Sequence, residues 1–286
     1  MTILVFGATG NTGSAIVKQL KAKQVGFCVM ATSKDKAAAL ELSENQIRVG
    51  NFDDIPALVA AMTDMTHIYL VMPVHPKTVH WVENVITAAK TAKVQHIVKQ
   101  SGLNANASAK SQVIRDHAAT DALIQASGLD YTLIQPNSFF QNFYGSLPTI
   151  NGEGRFFLPL GDAKLSLVDI HDVAAVAVAA LTEPGHAGKT HLLTGPEALT
   201  SAEQATLLSK ASGKEITYVD VPKEGLEAAL KSYGMEAWQA DKLSELLAWF
   251  AQGNYDQVST TIEMVLGRKP RAFSDFAQEL AHSIHA

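Results

Sequence analysis

The residues best placed to do chemistry near the start of the chain are three glycines in the stretch Gly7-Ala8-Thr9-Gly10-Asn11-Thr12-Gly13. The stretch follows an apolar run over 3–6 and opens a segment of helical character, the setting in which a glycine-rich turn holds a phosphate. Gly7 permits the tight turn, Gly10 lets backbone N–H groups approach a pyrophosphate, and Gly13 lets the helix pack close to the sheet. Thr9, Asn11 and Thr12 add polar groups at the helix start. A dinucleotide is the expected ligand. Which one depends on the end of the second apolar run, where an acid would bind a ribose 2′-hydroxyl and hydroxyl or basic groups would accept a 2′-phosphate. The sequence there is Ala31-Thr32-Ser33-Lys34-Asp35-Lys36. No acid closes the run, so Thr32, Ser33 and Lys34 favour NADP(H) and leave NAD(H) open. The plainer alternative is a polar turn in which Ser33 caps the next helix.

The tyrosines exclude one familiar proton donor. Short-chain reductases of ketones protonate the nascent alkoxide with a tyrosine whose pKa is lowered by a lysine four residues on. Here the residues four after Tyr69, Tyr131, Tyr144, Tyr218, Tyr233 and Tyr255 are Pro73, Gln135, Pro148, Pro222, Ala237 and Ser259. Hydride transfer to a quinone survives that loss, because its product is a resonance-stabilised phenolate that water can protonate. Positioning then dominates, through a dry slot that holds acceptor and nicotinamide face to face. Candidates to line it are Gln100-Ser101-Gly102 and Pro136-Asn137-Ser138-Phe139-Phe140, with Met72-Pro73-Val74 running along the cofactor. The alternatives are that Ser101 satisfies a loop backbone and that Phe139 and Phe140 join the core. His117, one helical turn before Asp121, could shuttle a proton, although an exposed His-Asp pair on a helix is the commoner object. His75, His80, His171, His282 and His285 show no carboxylate-supported metal pattern, and no metal is expected.

Groups so far apart in sequence need a scaffold that gathers them. Apolar runs at 3–6, 27–31, 47–49, 68–72, 96–99 and 131–135 alternate with helical stretches, and their lack of polar alternation suits strands covered on both faces. With right-handed crossovers they make a Rossmann-like, doubly wound parallel α/β sheet whose ligands sit at the carboxyl ends of the strands. The expected organisation is a dinucleotide-binding domain over 1–150 and a smaller α+β substrate- or partner-facing domain over 151–286, with about 165–194 returning to the first core. Asp53 or Asp54 reads as the cap of a helix, and Thr200 with Glu203 as a capping box. The helix so opened should end at Gly213, ahead of a strand at 216–219. Leu243, Leu246, Leu247 and Phe250 mark one helical face, expected to pack into the core rather than line a ligand site.

With 286 residues, 47% of them hydrophobic, the chain can bury a sizeable core. A formal net charge of −5 without a long basic block gives no footprint for direct nucleic-acid binding. The single cysteine, Cys28, lies in an apolar run, so no disulfide forms within the chain; a buried thiol and a cytoplasmic protein are expected. The most apolar helical stretch, 173–181, is too short to span a membrane.

The spacing G-x-x-G-x-x-G in GATGNTGSAIV resembles the NmrA-like group of atypical short-chain dehydrogenase/reductases. VGNFDD, HIVKQSG, SGLDYTLIQPNSFFQN, LVDIHDVAAVAV and the stretch GKTHLLTGPEALTSAEQATLLSKASGKEITYVDV continue the likeness in order, which weakens after about position 222. Within the group the pattern is most similar to bacterial NAD(P)H:quinone oxidoreductases and triphenylmethane reductases. The resemblance implies that Asn51 and Phe52 lie beside the adenine, Asn51 replacing the group's usual acid, and that Thr32 stands where relatives often carry arginine. It also implies that the segments around Ser101 and Asn137 meet nicotinamide and substrate. Two functions remain open: a reductase of quinones or similar conjugated acceptors, and a redox sensor that docks on a transcriptional regulator without catalysis. A homodimer is equally open.

Overall fold

The computed structural model describes residues 1–284; His285, named above among the histidines without a metal pattern, lies outside the described residues. The described residues form nine strands: β1 (Ile3–Val5), β2 (Phe27–Ala31), β3 (Ile47–Val49), β4 (His67–Leu70), β5 (His96–Gln100), β6 (Asp130–Pro136), β7 (Arg155–Leu158), β8 (Lys189–Leu193) and β9 (Thr217–Asp220). Seven build one sheet in the order β3-β2-β1-β4-β5-β6-β8. The pairings from β3 to β6 are parallel, with Leu4 opposite Cys28 on one side and Ile68 on the other. Strand order reverses between β1 and β4, the mark of a doubly wound α/β sheet, as the alternating pattern predicts. β1 and β2 are buried at every position, which is why they carry no polar alternation.

The chain divides into two compact units. The first comprises Met1–Ala107, Asp116–Gln135 and Ile170–His191. Its core includes Leu4, Phe6, Met30, Leu58, Ile68, Val82, Ile97 and Leu133. Helix Asn11–Ala22 packs on helix Ile170–Thr182, whose alanines let the axes approach, and Gln19 Nε2 donates to the His171 carbonyl at 3.0 Å. Of the two candidate caps at 53 and 54, Asp54 takes the role, accepting from Ala57 N–H at 3.0 Å. Cys28 is buried. No described helix is long and apolar enough to cross a membrane.

The second unit comprises Ser108–Arg115, Pro136–Asp169 and the chain from Leu192 on. In it β7 and β9 form a separate parallel pair. The capping box forms as expected, with Thr200 Oγ1 accepting from Glu203 N–H at 3.1 Å and Glu203 Oε2 from Thr200 N–H at 2.7 Å. Helix Ser201–Ser212 then stops at Gly213, whose φ of +71° suits glycine. Two expectations need correction. Phe140 does not join Phe139 as a wall: it is 2% exposed, with its ring centroid 5.3 Å from Phe273 and 5.6 Å from Phe276. Burying it there removes more apolar area from water than an exposed wall would. The stripe on helix Ala237–Phe250 is the converse case for three of its four residues: Phe250 is buried beside Tyr255 as expected, but Leu243, Leu246 and Leu247 are only half-buried and line a cavity. That helix packs beside helix Lys223–Ser232 rather than onto a continuous core, which leaves its apolar face open.

Candidate functional site

The glycine turn follows β1, at the strand-order reversal. Gly7 has φ of +66°, and a Cβ added to it would lie 2.4 Å from Val71 Cγ1. A Cβ on Gly13 would lie 2.1 Å from the Gly7 carbonyl oxygen, so this position admits no side chain. Gly10 differs: the nearest atom to an added Cβ is Gly7 O at 3.4 Å, and the space above it is otherwise open. Helix Asn11–Ala22 starts without a side-chain cap and with no acid in its first turn, so its first amides are free to meet an anion. Thr9, Gly10 and Asn11 are exposed and Thr12 is buried. An open glycine backbone over an uncapped helix start fits a pyrophosphate.

The other candidates of the first unit follow the carboxyl ends of parallel strands, which brings them to one edge of the sheet. Beyond β2, Thr32 is exposed, Ser33 Oγ accepts from Lys36 N–H at 3.4 Å, and Lys34 Nζ pairs with Glu44 at 2.9 Å on the surface. Ser33 therefore does cap the short helix Lys34–Ala37. Beyond β3, Asn51 Oδ1 accepts from Asp53 N–H at 2.8 Å, and Phe52 stacks between Phe6 and Trp81 with centroids 5.8 and 5.4 Å away. Asp53 accepts from Trp81 Nε1 at 3.0 Å and from Lys77 Nζ at 3.1 Å. Met72 and Val74 are half-buried beyond β4, and Pro73 is exposed with its carbonyl accepting from Thr78.

A polar cluster that the sequence did not announce lies at the end of β5. Lys99 Nζ donates to Asp121 Oδ1 at 2.6 Å, with side chains 1% and 8% exposed. Ser101 Oγ and Gln135 Nε2 both donate to Asp121 Oδ2, at 2.7 and 3.0 Å. The expected exposed His117-Asp121 pair is thus corrected: Asp121 is buried and committed to Lys99, Ser101 and Gln135. Burial pushes the Lys99 ammonium pKa down against the opposing pull of Asp121. The His117 ring packs against Gly102, where an added Cβ would meet Cδ2 at 2.8 Å. Burial first, and the Lys99 charge second, push its pKa down to about 3, so the ring is neutral at physiological pH. Only the pairing of a lysine and an aspartate on neighbouring elements could have flagged this cluster, and 22 residues separate them.

Four of the tyrosines are tuned against giving up a proton. Burial raises the phenol pKa of Tyr69, Tyr144, Tyr218 and Tyr255. Tyr69, fully buried, donates to Gln100 Oε1 at 2.6 Å.

In the second unit Asn137 is 3% exposed, and its amide donates to the Tyr255 carbonyl at 2.8 Å and to Ser166 Oγ at 3.0 Å while its oxygen accepts from Ser138 N–H. Asn137 therefore ties the loop after β6 to two distant segments. Phe139 is half-buried, and with Ser138 it lines a cavity of about 710 Å³. Most of the wall is apolar, including Phe157, Leu226, Leu230, Leu243, Leu246 and Leu247, with Asn142, Thr149, Glu153 and Gln204 as polar points. Such a volume, lined mainly by hydrophobic groups with a few polar ones, is the usual form of a small-molecule site.

Residues 1–277 match the model of the NmrA-like family. The chain belongs to that family. This NmrA-like protein is 36% identical over 284 residues to an NAD(P)H azoreductase of Xenophilus azovorans, covering 99% of each chain. It is 29% identical to quinone oxidoreductase 2 of Escherichia coli K12, covering 97% of this chain and 98% of that one. The crystal structure of the Escherichia coli NADPH-dependent quinone oxidoreductase complexed with NADPH superposes with a TM-score of 0.86 at 29% identity, covering 97% and 99% of the two chains. The triphenylmethane reductase of Citrobacter sp., complexed with NADP(H), shares the fold at a TM-score of 0.84 and 23% identity, over 98% and 99% of the chains.

Proposed function

We propose that this NmrA-like protein is an NAD(P)H-dependent oxidoreductase that passes a hydride to quinones or similar flat conjugated acceptors. The large, mostly apolar cavity of the second unit carries this reading, because it offers an apolar volume suited to an aromatic ring system. NAD(P)H-dependent oxidoreductases of azo and quinone type among the relatives support it.

The first unit would hold the cofactor. Gly7, Gly10 and Gly13 with the uncapped amides of helix Asn11–Ala22 take the pyrophosphate, Phe52 and Asn51 stand for the adenine end, and Met72, Pro73, Val74, Ser101 and Gly102 lie along the remainder. NADP(H) is the preferred form, since no acid closes β2 and Lys34 can turn from Glu44 to a 2′-phosphate. When bound, the cofactor supplies the hydride. This chain's residues contribute exclusion of water, positioning and fixed charge. Ser101 is held by Asp121, His117 stays neutral, and Tyr69, Tyr144, Tyr218 and Tyr255 stay protonated, so none of these groups supplies a strong acid. The balance closes without one: quinone and hydride give the hydroquinone monoanion, a phenolate, and one solvent proton completes the hydroquinone.

The deciding experiment mixes purified protein, NADPH and 2-methyl-1,4-naphthoquinone and follows NADPH absorbance. The expected outcome is turnover that slows with 4-deuterated NADPH where hydride transfer limits the rate. Tight NADPH binding without reduction of any quinone or azo compound would end this reading in favour of a non-catalytic dinucleotide-binding role. Lys34→Ala should weaken NADPH binding by about 1.5–3 kcal/mol and leave NADH binding nearly unchanged; equal losses would remove Lys34 from 2′-phosphate recognition.

A further inference from the structure

The cavity of the second unit is electrically one-sided. We propose that it selects acceptors by charge, taking uncharged or cationic aromatic acceptors of two or more rings and rejecting anionic ones, with Glu153 setting the sign. The proposal rests on the reductase reading and names the acceptor class of that same site. Among the described residues lining the cavity, Glu153 is the one acidic side chain, and none is lysine, arginine or histidine.

Each lysine adjacent in sequence to a lining residue is paired with a carboxylate: Lys164 meets Glu203 at 3.8 Å and Lys231 meets Glu227 at 2.6 Å. Lys223, next to the lining residue Pro222, holds Asp241 at 2.7 Å, and Lys242, next to Leu243, holds Asp241 at 2.9 Å and Glu245 at 3.4 Å. A sulfonate or carboxylate entering among the leucines loses hydration and gains no opposite charge. A cationic acceptor meets Glu153, with Phe157 and Tyr233 also in the wall. Glu153 closes helix Leu147–Glu153, whose C-terminal end carries dipole potential of the same sign. Size points the same way as charge: a cavity of about 710 Å³ is far larger than a single-ring quinone needs.

Three naphthoquinones sharing one ring system test this: the 2-methyl compound, its 2-sulfonate counterpart, and one bearing a trimethylammoniomethyl group. Affinity is read by quenching of tryptophan fluorescence, into which differences in reduction potential do not enter, and NADPH oxidation reports separately whether each compound turns over. The sulfonate should bind about tenfold or more weakly than the methyl compound, and the ammonium compound as well as the methyl compound or better. Glu153→Gln should shrink the preference for the ammonium over the methyl compound, and Glu153→Lys should bring the sulfonate toward the methyl compound. Glu153 is exposed at a helix end, so both variants keep the fold. Equal affinity for sulfonate and methyl compounds, failure of all three to bind, or an unchanged ratio in Glu153→Lys would each overturn the proposal. Discrimination in binding without any NADPH oxidation would support charge selection while defeating the reductase reading.

Discussion

Lys99 has 1% of its side chain exposed and spends its charge on Asp121, which also takes donors from Ser101 and Gln135. Removing one member of a buried pair leaves the other charged in a low-dielectric surrounding, so Lys99→Met should lower the unfolding free energy by about 3–5 kcal/mol in urea denaturation. Adding Asp121→Leu should restore only part of the loss, since Ser101 and Gln135 then lack their acceptor. Full restoration would mean that those two hydrogen bonds contribute nothing. The glycines separate in the same way. Gly13→Ala, with its Cβ 2.1 Å from Gly7 O, should destabilise the fold itself, whereas Gly10→Ala meets only a 3.4 Å contact. Gly10→Ala should therefore keep its melting temperature and lose NADPH affinity by calorimetry. Loss of stability in Gly10→Ala would place that glycine in the turn rather than at the ligand.

At the scale of the element, the amino ends of β4 and β5 carry His67 and His96, with rings 5.5 Å apart, and His186 and His191 meet at 2.9 Å beside β6 and β8. Thr132 donates to the His186 carbonyl at 2.8 Å, so His96 Nε2, 2.9 Å from the same hydroxyl, must be its donor and carry the proton. Burial pushes His96 and His191 down to about 4 and lowers His67 and His186 as well. Nearby charges act both ways: Asp130 and Glu183 favour protonation, while Lys189 and the chain's amino terminus oppose it. With folded values below the unfolded value of about 6.5, the unfolded chain binds more protons, so this stability is present above pH 6.5 and drains as pH falls toward 4. The urea midpoint should fall between pH 7 and pH 5, and His96→Gln, which retains a donor but does not titrate, should flatten that fall. A midpoint flat over this interval in the parent protein would contradict the assignment. Sequence periodicity located these strands, yet it could not show that histidines from four segments converge at one end of the first unit.

For the molecule as a whole, the cavity invites a steric test. Leu247→Trp should fill part of it and raise KM for a naphthoquinone about tenfold, while NADPH affinity, measured separately, moves far less; parallel losses would show that the cavity does not hold the acceptor. Much of the architecture was legible beforehand. Unalternated apolar runs specify strands covered on both faces, three glycines at fixed spacing specify the turn that follows the first of them, and Thr200 with Glu203 specifies a helix start, because each depends on neighbours within a few residues. The missing lysine four residues after every tyrosine is local in the same sense. What the tertiary structure alone decided depends on partners far apart in the chain: Phe140 turning to Phe273 and Phe276, Asp121 burying itself on Lys99, and Asn137 reaching Tyr255. The leucine stripe of helix Ala237–Phe250 is the plainest instance. Its 3.6-residue period states that one face is apolar, but whether that face meets a core or a cavity depends on what packs opposite, and helix Lys223–Ser232 leaves it open.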